Sequence, residues 1–275
     1  MTTIGVFDSG VGGLSVLRAL RVEMPQARLV YLADNAFAPY GERTPAWVAG
    51  RSAAIARHLR QAHAIDTLVV ACNTATALAI DTLRAAHPDL PIVGVEPALK
   101  PAAAMSRTHH IGVLATRGTL GSARFARLRD KLMATSPRPL QFHCQPCDGL
   151  ADAIERHDQP AVQALCERYV NEMRHKAGGP NAIDTLVLGC THYPFAMHEL
   201  SRLCGPNVSL VDTGVAVARR TREVLGAEAP QPSSLTEPLL LTTGDPAALT
   251  RAAHRWLGLS GDAQHLATEV RRAVN

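Results

Sequence analysis

A chain of 275 residues can hold two modest domains, each with its own core. An apolar fraction of 47% and a charged fraction of 19% belong to a globular chain and exclude a disordered or fibrous one. The formal charge of +4 is spread along the sequence with no Lys/Arg stripe and no interleaved aromatics, which argues against a nucleic-acid partner, and no apolar run is long enough for a membrane span.

The chain enters a strand almost at once, without a basic segment followed by an apolar one, so a cytoplasmic address without a signal peptide is expected. In that compartment the six cysteines, at 72, 144, 147, 166, 190 and 204, are expected as free thiols. Only three lysines occur, Lys100, Lys131 and Lys176, and none lies in a site motif. This disfavours a pyridoxal phosphate enzyme, which needs a Schiff-base lysine.

Residues 4–7 form an apolar run, followed by Asp8-Ser9-Gly10-Val11-Gly12-Gly13 and an amphipathic stretch over 14–23, which predicts strand, glycine-rich turn and helix. The glycine spacing fits neither a P-loop nor a dinucleotide fingerprint. Asp8 is the functional candidate here, because packing does not call for a carboxylate at the carboxyl end of a strand. A strand is expected over 29–33, a turn at Ala38-Pro39-Tyr40-Gly41 and a helix over 45–62. Next come a strand over 68–71 ending at Cys72, a helix to about 86 capped by Asn73 or Thr74, and a strand over 92–95. Residues 97–101 read as a crossover.

Ile111-Gly112-Val113 then echoes Ile4-Gly5-Val6, with hydroxyls at Thr116, Thr119 and Ser122 in place of Asp-Ser-Gly. A helix to about 133, a strand over 140–143 and a continuous helix from about 151 to 174 follow, closed by Gly178-Gly179-Pro180. Cys144 and Cys147 form a Cys-x-x-Cys without a second ligand pair, which argues against zinc and leaves a redox pair with little support. A strand and turn over 210–214, a helix to about 225, a loop over 229–238, a final strand–helix unit over 239–257 and a surface helix at the end complete the chain.

The repeat at the centre is longer. Asp66-Thr67-Leu68-Val69-Val70-Ala71-Cys72 and Asp184-Thr185-Leu186-Val187-Leu188-Gly189-Cys190 share their first four residues and the offset of the cysteine. Both read as buried strands ending at a thiol. Strands alternating with helices imply parallel sheets. The fold class expected is therefore α/β: two similar parallel-sheet domains related by a pseudo-two-fold, with the active site in the cleft between them. The expected division is 1–97 plus 211–275 for the first domain and 98–210 for the second.

In such sheets ligands bind at the carboxyl ends of strands. A cysteine there, ahead of a helix, has its thiolate favoured by the helix-start amides. The ordinary fate of an intracellular cysteine is inert burial, and a histidine such as His192 is more often structural. Two thiols at duplicated positions, each followed by polar residues, carry more weight than either alone. Inversion at carbon needs two similar acid–base groups, one removing a proton and the other delivering one to the opposite face.

At these residues the chain resembles the glutamate racemase family, cofactor-independent enzymes that make D-glutamate for peptidoglycan. The matching segments are 8–16, 39–41, 71–76, 94–98, 116–122, 189–194 and 242–246, in order along nearly the whole chain. The resemblance implies that Cys72 acts on D-glutamate and Cys190 on L-glutamate, with Asp8 and His192 assisting. It implies that Ser9, Tyr40, Gly41, Asn73, Thr74, Thr119 and Thr191 hold the substrate, that no cofactor or metal takes part, and that the protein is a homodimer. Glu155 follows as an auxiliary residue from the spacing between Cys147 and Glu155, although the segment between them is more polar than in the family. Some enterobacterial members carry an N-terminal extension tied to activation by a cell-wall precursor, and its absence here implies activity without an activator. Three other readings remain: a racemase for aspartate or a hydantoin, a cysteine hydrolase using Cys190 and His192, and a non-catalytic amino-acid-binding protein.

Overall fold

The computed structural model describes residues 1–179, 182–227 and 235–266. It divides into two compact units, Met1–Val95 with Gly214–Asn275, and Glu96–Thr213. In chain order the first unit contains β1 (Thr3–Asp8), α1 (Leu14–Glu23), β2 (Arg28–Ala33), short 3₁₀ turns at Asn35–Phe37 and Tyr40–Glu42, α2 (Pro45–His63), β3 (Thr67–Val70), α3 (Asn73–Ala86) and β4 (Ile92–Gly94). The second contains α4 (Leu99–Met105), β5 (His110–Ala115), α5 (Arg117–Leu120), α6 (Ala123–Thr135), β6 (Gln141–Pro146), α7 (Leu150–Glu155), α8 (Gln159–Lys176), β7 (Thr185–Gly189), a 3₁₀ turn at Tyr193–Ala196, α9 (Met197–Cys204) and β8 (Ser209–Val211). The chain then adds α10 (Gly214–Val224), β9 (Leu239–Thr242), α11 (Pro246–Leu257) and β10 (Gln264–His265) to the first unit.

Both sheets are parallel throughout. The first runs β10-β9-β2-β1-β3-β4 and the second β6-β5-β7-β8. The order β2-β1-β3-β4 is thus repeated as β6-β5-β7-β8, and the repeated sequences pair in the same register. Ile4 lies opposite Thr67 and Gly5 opposite Leu68; Ile111 lies opposite Thr185 and Gly112 opposite Leu186. The paired glycines admit close packing onto the sheet: a Cβ at Gly5 would sit 2.9 Å from Ile65 Cδ1, and one at Gly112 would overlap Met173 Sδ.

Strands covered on both faces bury every residue, and β1 and β3 do so. In the first unit Phe7, Val30, Leu32, Leu68 and Val70 pack with Val48, Ile55 and Leu59 of α2 and Ala79, Ile80 and Leu83 of α3. Helix α1 packs on α10 and α11. The second core gathers Leu99, Ile111, Val113, Phe125 and Val187. Helix starts follow local chemistry: Thr44 caps α2 ahead of Pro45, Ser122 caps α6, and Asp245 caps α11 ahead of Pro246.

Three expectations differ from the structure. The crossover expected over 97–101 runs at Leu99 into helix α4, whose Pro101 lies in the first turn, where a missing N–H costs no helical bond. The helix expected to run on from 151 is two, because Asp158 caps α8, Pro160 opens it, and His157 takes φ 57° between them. Helix α3 is capped by Cys72 itself rather than by Asn73 or Thr74. The expectations for Pro180, for the loop over 229–234 and for the terminal helix over 267–275 fall outside the described residues.

The shared Asp-Thr opening also has a physical role. Asp66 Oδ2 accepts the Thr3 amide at 2.8 Å, tying the starts of β3 and β1 together. Asp184 does more: it accepts from the Ser106 and Thr185 hydroxyls and from the amides of Arg107 and Thr108, at 2.6 to 3.0 Å. Burial pushes its pKa up, but these donors outweigh burial and hold it at about 2. A carboxylate lowered on folding contributes stability above its unfolded pKa, near 3.9, and loses it as pH falls through the folded value. Asp184→Asn is therefore expected to cost about 2 kcal/mol at neutral pH and to flatten the loss of stability between about pH 4 and pH 2, read by urea unfolding across that range.

Candidate active site

In an open parallel sheet the crevice lies where strand order reverses, outside the carboxyl ends of the strands. In the first unit that point falls between β1 and β3, and in the second between β5 and β7. Asp8 ends β1 and Cys72 follows β3; Thr116 follows β5, and Cys190 follows β7. Each sheet therefore presents one cysteine at its switch point.

Cys72 is buried, and its sulfur accepts the Ala75 amide at 3.4 Å, so the thiol is the N-cap of the 14-residue helix α3. A partial positive charge at a helix start favours the thiolate over the thiol. The Ser9 hydroxyl lies 3.5 Å from the same sulfur. Asp8 is fully buried, and its Oδ1 accepts the Gly10 amide at 2.7 Å, which closes the turn that carries Ser9. Asn73 and Thr74 lie in the first turn of α3, both buried. Asn73 Nδ2 donates to Val95 O at 3.4 Å, while the buried Asn73 Oδ1 accepts no hydrogen bond from any described residue. A buried acceptor left in this way is costly unless a ligand donor meets it.

Tyr40 is buried, and its hydroxyl donates to Asp34 Oδ2 at 2.5 Å. Burial first, and then the Asp34 charge, raise its pKa well above the usual phenol value. The phenol proton is thus committed to Asp34, and Gly41 beside it is half-buried.

In the second unit Cys190 does not stand directly before an α-helix. The residues after it form a turn and the 3₁₀ segment Tyr193–Ala196, so the helix-start argument that suits Cys72 does not transfer. A side chain takes its place. Cys190 Sγ lies 3.7 Å from His192 Nδ1, and His192 Nε2 lies 2.7 Å from Glu155 Oε2. Burial opposes charge on His192, but its hydrogen bonds to the Cys190 sulfur and the Glu155 carboxylate raise its pKa well above the ordinary imidazole value. Glu155, at the end of α7, thus stands behind His192 and His192 beside the thiol. Thr119 is buried; its amide donates to the Thr116 hydroxyl at 3.2 Å and its own hydroxyl accepts from that of Thr116 at 2.9 Å, and Thr191 is buried next to Cys190.

Cys144 and Cys147 do not share this character. Burial raises both thiols, Cys147 far above its usual range, and the Cys147 thiol donates to Gln145 O at 3.4 Å. A redox dithiol requires a depressed pKa. All six cysteines are free. The residues that sequence reasoning passed over are Asp34, Arg51 and Thr243, which meet around Tyr40.

Two parallel sheets of the same strand order, each with one buried cysteine at its switch point, define a class of α/β protein equipped with paired thiols. A family model described as Asp/Glu/Hydantoin racemase matches residues 14–221, and the chain belongs to that family. It is 48% identical over 238 residues to a glutamate racemase of Ectopseudomonas mendocina, covering 85% of this chain and 87% of that one. Among solved structures it is similar to glutamate racemase RacE1 of Bacillus anthracis, with a TM-score of 0.82 at 28% identity, covering 100% of this chain and 99% of that one. It is also similar to the Escherichia coli glutamate racemase solved with L-glutamate and the activator UDP-MurNAc-Ala, with a TM-score of 0.81 at 32% identity, covering 96% and 97% of the two chains.

Proposed function

We propose that this protein interconverts L- and D-glutamate without a cofactor, using Cys72 and Cys190 as two acid–base groups, and so supplies D-glutamate for peptidoglycan. The observation that carries the proposal is the duplication: one thiol at the switch point of each like-wired sheet, each with its own polar support. From L-glutamate, the Cys190 thiolate takes the α-proton and becomes a thiol. The electron pair left on the α-carbon delocalises into the α-carboxylate, and the Cys72 thiol delivers its proton to the opposite face and becomes a thiolate. From D-glutamate the roles exchange.

The α-proton of an amino acid is a very weak acid, so donors must be in place where charge develops on the carboxylate. Ser9, Thr74, Thr119 and Thr191 supply them in this reading, the main chain of Tyr40 and Gly41 binds the substrate's other carboxylate, and Asn73 Oδ1 receives the substrate ammonium. Asp8 supports the Ser9 turn beside Cys72, and Glu155 acts through His192. A cytoplasmic address and assembly as a homodimer belong to the same proposal, the latter read by analytical ultracentrifugation. No helix among the described residues is long and apolar enough to cross a membrane.

The test is circular dichroism of pure protein with D-glutamate in D₂O, with mass analysis of the recovered amino acid. Loss of optical rotation with one deuterium at the α-carbon of the product enantiomer supports the proposal. Unchanged glutamate with racemised aspartate moves the reading to another substrate of the same family. The Cys190, His192 and Glu155 arrangement also fits a nucleophile, base and orienting acid. A trapped acyl-enzyme at Cys190 would favour the hydrolase reading, which leaves Cys72 without a role.

The raised pKa of His192 has a direction that can be measured. The imidazolium favours the adjacent thiolate, so activity is expected to fall when pH rises far enough to deprotonate His192. Glu155→Gln removes one of the two groups that hold the proton on. The alkaline limb of kcat/KM is then expected to move to lower pH, equally for both enantiomers. An unmoved limb would show that Glu155 does not tune this histidine.

A further inference from the structure

Next to the turn that carries Tyr40 and Gly41, a single carboxylate is saturated with donors. Asp34, the residue after β2, accepts from Arg51 Nε at 2.8 Å and the Tyr40 hydroxyl at 2.5 Å on Oδ2. On Oδ1 it accepts from Arg51 Nη2 at 2.6 Å and the Thr243 hydroxyl at 2.9 Å. Asp34, Arg51 and Thr243 are 0% exposed, and Tyr40 is 1% exposed. The Arg51 guanidinium also lies 4.0 Å from the centroid of the Phe37 ring. The donors come from three segments: the 3₁₀ turn, α2 and the residues after β9. The Asp34 amide donates to Asp8 O at 2.9 Å, and the Ala36 amide reaches the Thr243 hydroxyl at 3.3 Å. One residue thus joins the end of β1, the substrate turn and the end of β9.

We propose that the buried Asp34–Arg51 pair is a positioning device that fixes the main chain of Tyr40 and Gly41 against the strand end bearing Asp8, Ser9 and Cys72. The inference rests on the racemase reading, in which that main chain meets a glutamate carboxylate. An apolar cluster of similar volume would stabilise the fold as well or better, since desolvating two ions is expensive. What the ion pair adds is direction. A planar fork on a carboxylate admits one geometry, and the remaining lone pairs of Asp34 impose it on Tyr40 and Thr243. Turn amides held in this way need no reorganisation when an anion arrives.

Two variants test this, each deleting one neutral donor to Asp34 and leaving the ion pair intact: Tyr40→Phe and Thr243→Val. Steady-state kinetics with both enantiomers are to be measured beside thermal unfolding of the same samples. In the positioning role KM rises roughly tenfold for both enantiomers, kcat changes by less than about threefold, and Thr243→Ser restores KM. A merely structural role lowers the amount of active enzyme, and so kcat, with KM unmoved; that result overturns the proposal. If one variant fails to fold, the other approaches Asp34 from a different segment and carries the same test. Wild-type protein that leaves both glutamate and aspartate unchanged defeats the racemase reading and this inference with it. An active wild type with unmoved KM in the variants defeats this inference alone.

Discussion

Replacing either Cys72 or Cys190 with alanine is expected to lower kcat/KM for glutamate racemisation by roughly 10²–10⁴-fold or more, and to do so equally in both directions. The equality follows from thermodynamics. Enantiomers have equal free energy in water, so the equilibrium constant is one, and the forward and reverse kcat/KM must match in every variant. A directional loss is therefore no diagnostic of which face a thiol serves, although each thiol serves one face. Serine variants supply the diagnostic. A hydroxyl retains a transferable proton but is a poorer base, so proton abstraction by the replaced residue becomes the slow step for one enantiomer only. Cys190→Ser is expected to show the larger primary isotope effect with α-deuterated L-glutamate, and Cys72→Ser with α-deuterated D-glutamate. The opposite pattern would exchange the faces, and alanine variants retaining full activity would remove both thiols from the mechanism.

The duplication behind that prediction was legible in the sequence because it is carried by strands. Ile-Gly-Val and Asp-Thr-Leu-Val are short apolar runs with polar boundaries, and they pair with one another in the same register in both units. The Asp of each repeat is a clamp on a neighbouring segment, which the sequence could repeat but not explain. Local chemistry was less legible where side chains replace backbone. That Cys72 caps its own helix was hidden because sulfur is not an ordinary capping atom and Asn73 is. The break before α8 was visible in principle, since Asp158 and Pro160 form a helix-start signal, but the apolar pattern runs on through it. Asp34 carries the same sequence signal as Asp8, a carboxylate at the end of a strand with no packing reason to be there. Its partners Arg51 and Thr243 lie 17 and 209 residues away, and only the folded chain brings them together.

Removing the Arg51 charge is expected to produce a large loss of stability. Arg51→Met leaves the Asp34 carboxylate at 0% exposure with only the Tyr40 and Thr243 hydroxyls to solvate it. Breaking a buried ion pair from one side typically costs about 3–5 kcal/mol, and loss of the guanidinium contact with Phe37 adds to that. In a chain of this size each kcal/mol lowers Tm by roughly 2–4 °C, so the variant is expected to melt on the order of 10 °C lower. The double variant Asp34→Asn/Arg51→Met separates charge from packing. It carries no buried ion, and the Asn carbonyl still accepts the Tyr40 proton, so it is expected to be more stable than Arg51→Met alone. If the double variant is instead the less stable of the two, the cost lies in lost contacts of the Asp34 carboxylate rather than in an uncompensated charge. The two outcomes differ for the substrate turn as well. A stable double variant with a raised KM would show that the ion pair is kept for geometry at the expense of stability, because a neutral pair can hold the core together without forcing one orientation on Tyr40.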